Sequence, residues 1–355
     1  MSSFGSQASS AVTWVRRLAL ASLLLCVVVV ILGAYVRLTA AGLGCPDWPG
    51  CYGHFTPIGA AENAAAQAAY PDTPLHLGKA WREMIHRYAA STLGLLIVII
   101  TALAIASRKE RAVSVPLSVG LLVTVVIQGM LGMLTVTWQL KPLIVTLHLL
   151  FGLTTLGMLW WLYLSLRNPN RGGVRFPSGS DGTSSPPVRA ILVALVLLGV
   201  QIALGGWTSS NYAAVACPDF PKCQNEWLPE TDYKDAFVLW RGLGINYEGG
   251  ILQHPARVAI HFTHRLGAIA ATLALLYAAV VTLRRKVPSA ARLAAYAVLG
   301  TLALQLLIGA TMVLRGFPLA LATAHNAGAA LLLLATLALY RAAVPGSGHR
   351  PAAGF

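Results

Sequence analysis

Nine histidines punctuate the chain, at positions 54, 76, 86, 148, 254, 261, 264, 325 and 349. Four of them, His86, His148, His264 and His325, lie in the opening turns of long stretches almost free of charge. An ionisable side chain inside such a span is costly and is a functional hypothesis by default. Taken singly, each imidazole could simply hydrogen-bond a neighbouring helix, as polar side chains in membranes do. Taken together they form two pairs, 62 and 61 residues apart. That spacing puts one member of each pair on the second helix of a bundle and the other on the fourth, across a flat macrocycle. Haem iron accepts two axial imidazoles, and bundle cores build such sites from facing helices. Zinc asks for at least a third protein ligand, and no carboxylate or thiol recurs beside both pairs.

The neighbours of these histidines carry complementary chemistry. Arg87 and Arg265 directly follow the first histidine of each pair. Haem propionates are anionic, and arginine is the preferred planar partner of a carboxylate; the alternative is that both arginines snorkel to the membrane interface. Gly94, Gly152, Gly267 and Gly328 follow the histidines and allow close approach of a macrocycle or of a neighbouring helix. One position breaks the match between the pairs. Three residues before the first histidine stands Glu83 in one half and His261 in the other. The i, i+3 spacing puts each on its ligand's helical face, one turn outward. A carboxylate beside only one of two haem sites points to proton chemistry there, with an ion pair to Arg82 or Arg87 as the plainer alternative.

Cys45 and Cys51 sit in a C-P-D-aromatic-P-x-C stretch that recurs as Cys217 to Cys223. An oxidising compartment favours one disulfide in each loop. Zinc is the weaker reading: His54 is near the first pair, but nothing equivalent is near the second. Cys26 lies in the first apolar stretch, where a small packing residue is expected.

The elements that must position these residues follow from composition. Of the 355 residues, 56% are hydrophobic and 11% charged, and the mean hydropathy is +0.67. Soluble domains carry about 25% charged residues, so a disordered chain and a water-soluble enzyme are both excluded. Runs without Asp, Glu, Lys or Arg cover 18–36, 88–107, 112–140, 142–166, 190–218, 266–283, 293–314 and 316–340. A helix needs about 20 apolar residues to cross a bilayer, which gives an all-α polytopic membrane protein with eight spans. A β-barrel would instead show alternating segments of about 10 residues.

The net charge of +14 is not a nucleic-acid signal, because its distribution follows the positive-inside bias. Arg16 and Arg17, then Arg108, Lys109 and Arg111, then Arg167, Arg171, Arg175 and Arg189 mark one side. Arg284, Arg285, Lys286 and Arg292, with Arg341 and Arg350, complete it. Loop 38–78 has no Lys or Arg, and loop 208–254 has six acidic residues against three basic. The expectation is a cytoplasmic-membrane protein with both termini in the cytoplasm and both long loops outside. The first span is too long for the apolar region of a signal peptide and lacks a convincing cleavage site, so it reads as an anchor.

The chain also repeats itself. Cys45-Pro46-Asp47 recurs as Cys217-Pro218-Asp219, His86-Arg87 as His264-Arg265, Gln128 with Gly132 as Gln305 with Gly309, and His148 as His325. The order is preserved, as a tandem duplication requires. The expected architecture is two tandem pseudo-symmetric four-helix bundles, residues 1–166 and 189–355. The segment 167–188, rich in Gly, Ser, Pro and Arg, is a cytoplasmic linker. Four spans per half leave both halves in the same orientation, related by an axis along the membrane normal.

With these residues assembled, the chain resembles the haem A synthase family over residues 15–342. Arg37-Leu38-Thr39-Ala40-Ala41-Gly42-Leu43-Gly44-Cys45-Pro46-Asp47-Trp48-Pro49 is similar to that family's first outer-loop signature, with Ala41 where serine is common. Glu83-Met84-Ile85-His86-Arg87 resembles its E-x-x-H-R motif, and His261 to Arg265 the second-half counterpart. The resemblance implies oxidation of the C8 methyl group of haem O to the formyl group of haem A, through successive hydroxylations and loss of water. It implies that His264 and His325, with Arg265, hold a resident haem b as cofactor. His86 and His148, with Arg87, would receive haem O, and Glu83 would be the catalytic acid–base or proton carrier. No flavin or nicotinamide fingerprint is present, so an external electron donor is a required partner. The haem O-forming farnesyltransferase is a further expected partner, membrane lipid surrounds the chain, and a homo-oligomer is compatible with it. A di-haem b electron carrier, or a haem transporter or chaperone, would explain the histidine pairs but not Glu83.

Overall fold

The computed structural model of the chain describes residues 10–109, 113–167 and 186–344. The body of the linker, with Arg171 and Arg175, lies outside the described residues, as do Arg111, His349 and Arg350. Eight long helices carry the described fold: α1 Ser10–Leu38, α2 Leu77–Ala106, α3 Val115–Thr137, α4 Pro142–Arg167, α5 Pro186–Ser210, α6 His254–Leu283, α7 Ser289–Leu314 and α8 Leu319–Ala343. Each is long and apolar enough to cross a membrane. Even α3, with 23 residues, reaches about 35 Å at 1.5 Å per residue. The fold is all-α and polytopic.

The helix ends depart from the uncharged runs for local reasons. Helix α2 begins at Leu77, well before residue 88, because Lys79, Arg82, Glu83 and Arg87 belong to its first turns. Helix α5 stops at Ser210 although the uncharged run continues to 218, because Tyr212 takes a positive φ of 54° and the chain turns away. Helix α3 starts where the Ser114 hydroxyl accepts a hydrogen bond from the Leu117 amide, with a proline in the first turn.

Packing closes two rings. Helices α1–α2, α2–α3, α3–α4 and α4–α1 adjoin in the first half, and α5–α6, α6–α7, α7–α8 and α8–α5 in the second. Helices α1 and α4 meet α8, and α4 also meets α5, along the seam between the two bundles. The repeat extends to the backbone. Positive φ angles fall at Ala40 and Tyr212, Tyr52 and Gln224, Gln139 and Gly316, and Leu140 and Phe317, all equivalent positions. Cis peptide bonds precede both Pro49 and Pro221.

The interior is divided by depth. A single apolar core joins both bundles at the end away from the long loops, where Leu23, Ile97, Leu156, Ile191, Leu275 and Leu339 are buried. Its members come mostly from the N-terminal halves of the odd-numbered helices and the C-terminal halves of the even-numbered ones. The four span histidines lie at the opposite end, beneath the loops. Outward faces carry exposed apolar residues such as Leu95, Val126, Val196, Leu273 and Leu307, as lipid contact requires.

Candidate active site

In each half the two histidines project from the second and fourth helices of the ring. His86 and His148 face each other with ring centroids 6.5 Å apart and planes at 77°. Each imidazole is backed by a glycine on the preceding helix. A Cβ at Gly33 would stand 3.0 Å from His86 Cε1, at Gly132 3.3 Å from His148 Cε1, at Gly205 3.2 Å from His264 Cε1, and at Gly309 3.0 Å from His325 Cε1. Any larger residue at these four positions would push the ring from its place. The Nδ1 atoms of His86, His148 and His325 are buried without a hydrogen-bond partner, an arrangement that burial normally penalises.

These features fit haem. A metal–imidazole bond is about 2 Å, and the 6.5 Å between the rings has room for one metal atom bonded on both sides. Among the described residues, no three His, Cys, Asp or Glu side chains gather into a metal-holding group, whereas haem iron asks for two imidazoles only. A haem held between such a pair would supply one-electron redox chemistry within the bundle.

Glu83 is 4% exposed. Its Oε2 accepts a hydrogen bond from the Cys45 amide at 2.9 Å, and its Oε1 one from Arg87 Nη2 at 2.5 Å. The carboxylate is thus held between the arginine one turn on and the first disulfide loop. His261 occupies the equivalent place and is 5% exposed. Its Nε2 accepts from Arg265 Nε at 3.3 Å, and its ring packs edge-on against Phe317.

Arg87 and Arg265 spend their donors on the loops above them. Arg87 Nη1 donates to the carbonyls of Asp47, Pro49 and Gly50 at 3.0, 3.2 and 2.5 Å. Arg265 donates to the carbonyls of Cys217, Asp219 and Lys222 at 3.0, 2.8 and 2.6 Å. Each arginine clamps a disulfide loop onto the helix that bears the first histidine.

The loops close as their cysteines suggest. Cys45 pairs with Cys51 and Cys217 with Cys223, each with Cα atoms 4.7 Å apart. His54 hydrogen-bonds Asn63 instead of joining a metal site. Cys26 is a free, buried packing residue.

Two sets of residues gain roles that sequence reasoning did not give them. Asp47 accepts from the amides of Tyr52 and Gly53 at 2.5 and 2.8 Å, and Asp219 from those of Gln224 and Asn225 at 2.8 and 2.9 Å. The recurrence of Asp in both loops was the available signal. Gly152, Gly267 and Gly328 face the carboxamides of Gln128, Gln201 and Gln305 from the neighbouring helix, so the expected close approach is made by a side chain. Gln201 belongs to this set although its part in the repeat was not evident from the Gln128 and Gln305 match alone.

Comparison with known proteins agrees with this geometry. A family model described as "Cytochrome oxidase assembly protein", COX15-CtaA, matches residues 16–337. A protein of Shewanella oneidensis named "Heme A synthase" is 43% identical over 91% of this chain and 93% of its own length. "Heme A synthase" of Rhizorhabdus wittichii is 29% identical over 87% of this chain and 88% of its own. "Heme A synthase COX15" of Saccharomyces cerevisiae is 25% identical over 87% and 71%. With the match running from the first helix into the last and through both histidine pairs, the chain belongs to the COX15-CtaA cytochrome oxidase assembly family, that of the heme A synthases.

Proposed function

We propose that this protein oxidises the C8 methyl group of haem O to the formyl group of haem A. The observation that carries the reading is the asymmetry within an otherwise repeated site. Both bundles present two glycine-backed imidazoles, but only the first holds a buried carboxylate one turn from its ligand. In this reading His86 and His148 bind the iron of haem O, and Glu83 takes up and returns protons beside it. His264 and His325 would hold a resident haem b, which when bound would supply one-electron relay from an external donor; dioxygen is the oxidant each hydroxylation consumes, one oxygen atom leaving as water. Arg87 and Arg265 keep the disulfide loops over the two sites, and by their charge favour the propionate end of each haem on that side. The substrate's farnesyl tail is accommodated at the lipid-facing side of the first bundle. The loop-charge asymmetry supports a cytoplasmic-membrane location with both termini inside and loops 38–78 and 208–254 outside.

The test is the haem content of membranes from cells carrying single variants. Glu83→Gln keeps the side chain's size but cannot take up a proton near neutral pH. It is expected to retain haem b and to lower haem A by about 100-fold, within the range for removing a general acid–base group. His86→Ala and His148→Ala are expected to spare haem b and abolish haem A, whereas His264→Ala and His325→Ala remove the low-spin haem b signal. Wild-type haem A with Glu83→Gln would return the carboxylate to a purely structural ion pair and favour a di-haem electron carrier.

A further inference from the structure

Three of the four ligand histidines are gripped by a glutamine. Gln128, Gln201 and Gln305 donate through Nε2 to the main-chain carbonyls of His148, His264 and His325 at 2.9, 3.0 and 3.0 Å. The same nitrogen lies 3.5, 3.1 and 3.4 Å from a ring nitrogen of that histidine. Each glutamine stands four residues before the glycine that backs the ring. In all three, Oε1 is buried without a partner. Partners of this kind orient a metal-binding imidazole: the carboxamide nitrogen holds the main chain that carries the ring and touches the ring itself, while Oε1 of Gln201 and Gln305 is turned toward Gly267 and Gly328.

The fourth histidine has no such grip. Four residues before Gly33 stands Val29, which offers the His86 ring its main-chain carbonyl and no polar side chain. The room for a glutamine is missing too. Gln201 lies against Gly267, three residues after His264, whereas the residue three after His86 is Ala89. Clamp and cradle are absent together from one helix pair of four.

We propose that Gln128, Gln201 and Gln305 are positioning residues for three axial histidines, and that the unclamped His86 is the exchangeable ligand through which haem O enters and haem A leaves. The proposal rests on the functional reading above and deepens it. A cofactor that stays needs two fixed ligands, which the second bundle has. A substrate that must depart needs one ligand that lets go, and only the first bundle has one.

The experiment uses the purified full-length protein in detergent, carrying its resident haem, with haem O titrated in. Release to excess apomyoglobin is followed by absorbance, and axial ligation by low-temperature electron paramagnetic resonance. Val29→Gln with Ala89→Gly installs the missing clamp and is expected to slow release of haem O about tenfold, the lower bound for adding or removing an outer-shell partner of a metal ligand. Gln128→Leu removes the carboxamide and its hydrogen bond to the His148 carbonyl and is expected to speed that release by a similar factor. Gln201→Leu and Gln305→Leu are expected to shift the low-spin signal of haem b, which Gln128→Leu leaves in place. Unchanged haem O release in both first-bundle variants, with the haem b shifts as expected, overturns the exchange proposal alone. A haem b signal that responds to Gln128→Leu and not to the other two rejects the assignment of the two halves, and the proposal with it.

Discussion

At the scale of single residues, the two halves are nearly copies, and the exceptions carry the meaning. Glu83 and His261 occupy one structural position and touch equivalent arginines, yet only one can be an anionic proton acceptor. Asp47 and Asp219 do the same work in both loops. Burial pushes the Asp219 carboxyl up, but the amides of Asn225 and Gln224 and the nearby Arg265 outweigh it and hold the group below its ordinary value. The sign follows: its contribution to loop closure is complete above the unfolded carboxylate pKa of about 3.9. It is lost only as pH falls through the lower folded value. The Gln224 and Asn225 amides are therefore expected to stay protected from hydrogen exchange, after correction for intrinsic rates, down to about pH 4. In Asp219→Ala that protection is expected to be gone at every pH, because both donors lose their acceptor.

At the scale of elements, the site depends on how closely two helices approach. Each histidine ring rests on a glycine of its partner helix, so helix α7 is expected to respond very differently at two glycines. Gly309→Ala puts a methyl 3.0 Å from His325 Cε1 and is expected to perturb the haem b spectrum. Gly300→Ala has nothing within 4 Å and is expected to leave the spectrum alone. It should also raise stability by up to about 1 kcal/mol, through helix propensity alone. Equal spectral effects from both would show that the ring contact does not set ligand geometry. The loops obey a similar rule. Each disulfide ring is tied by an arginine to the helix that carries the first histidine of its pair.

At the scale of the whole molecule, the seam is polar beneath the long loops. Arg37 Nη2 donates to the Ser209 carbonyl at 2.6 Å, its guanidinium stacks 4.0 Å from the Tyr212 ring, and Thr146 meets Ser210 at 3.3 Å. The second loop also reaches across to the first bundle. Lys141, 1% exposed, lies 3.2 Å from the centroid of Trp240 and donates to the Gly242 carbonyl. The Tyr247 amide donates to the Gln139 carbonyl at 3.0 Å, and Lys79 pairs with Glu248 at 3.8 Å. The Tyr247–Gln139 contact joins main chain to main chain, so the strap is held by backbone as well as by side chains. A desolvated cation–π contact is worth about 2 kcal/mol. Lys141→Met is therefore expected to free the strap, read as faster proteolysis within 233–250, while both histidine pairs keep their places. Unchanged cleavage would show that the backbone contact alone suffices.

The sequence by itself determined the spans, their pairing into two halves, the four histidines and the cysteine pairs. These follow from local properties: charge-free length, order of motifs and compartment chemistry each act along a few tens of residues. Tertiary structure decided which glycines back the rings, that Arg87 and Arg265 face loop carbonyls, and that three histidines are gripped while His86 is not. Gln201, Val29 and Ala89 carried no signal of their own, because their meaning lies in what stands opposite on another helix. That register is set by packing across the ring of helices, where the 3.0 Å contact of Gln201 with His264 joins residues 63 positions apart in the chain.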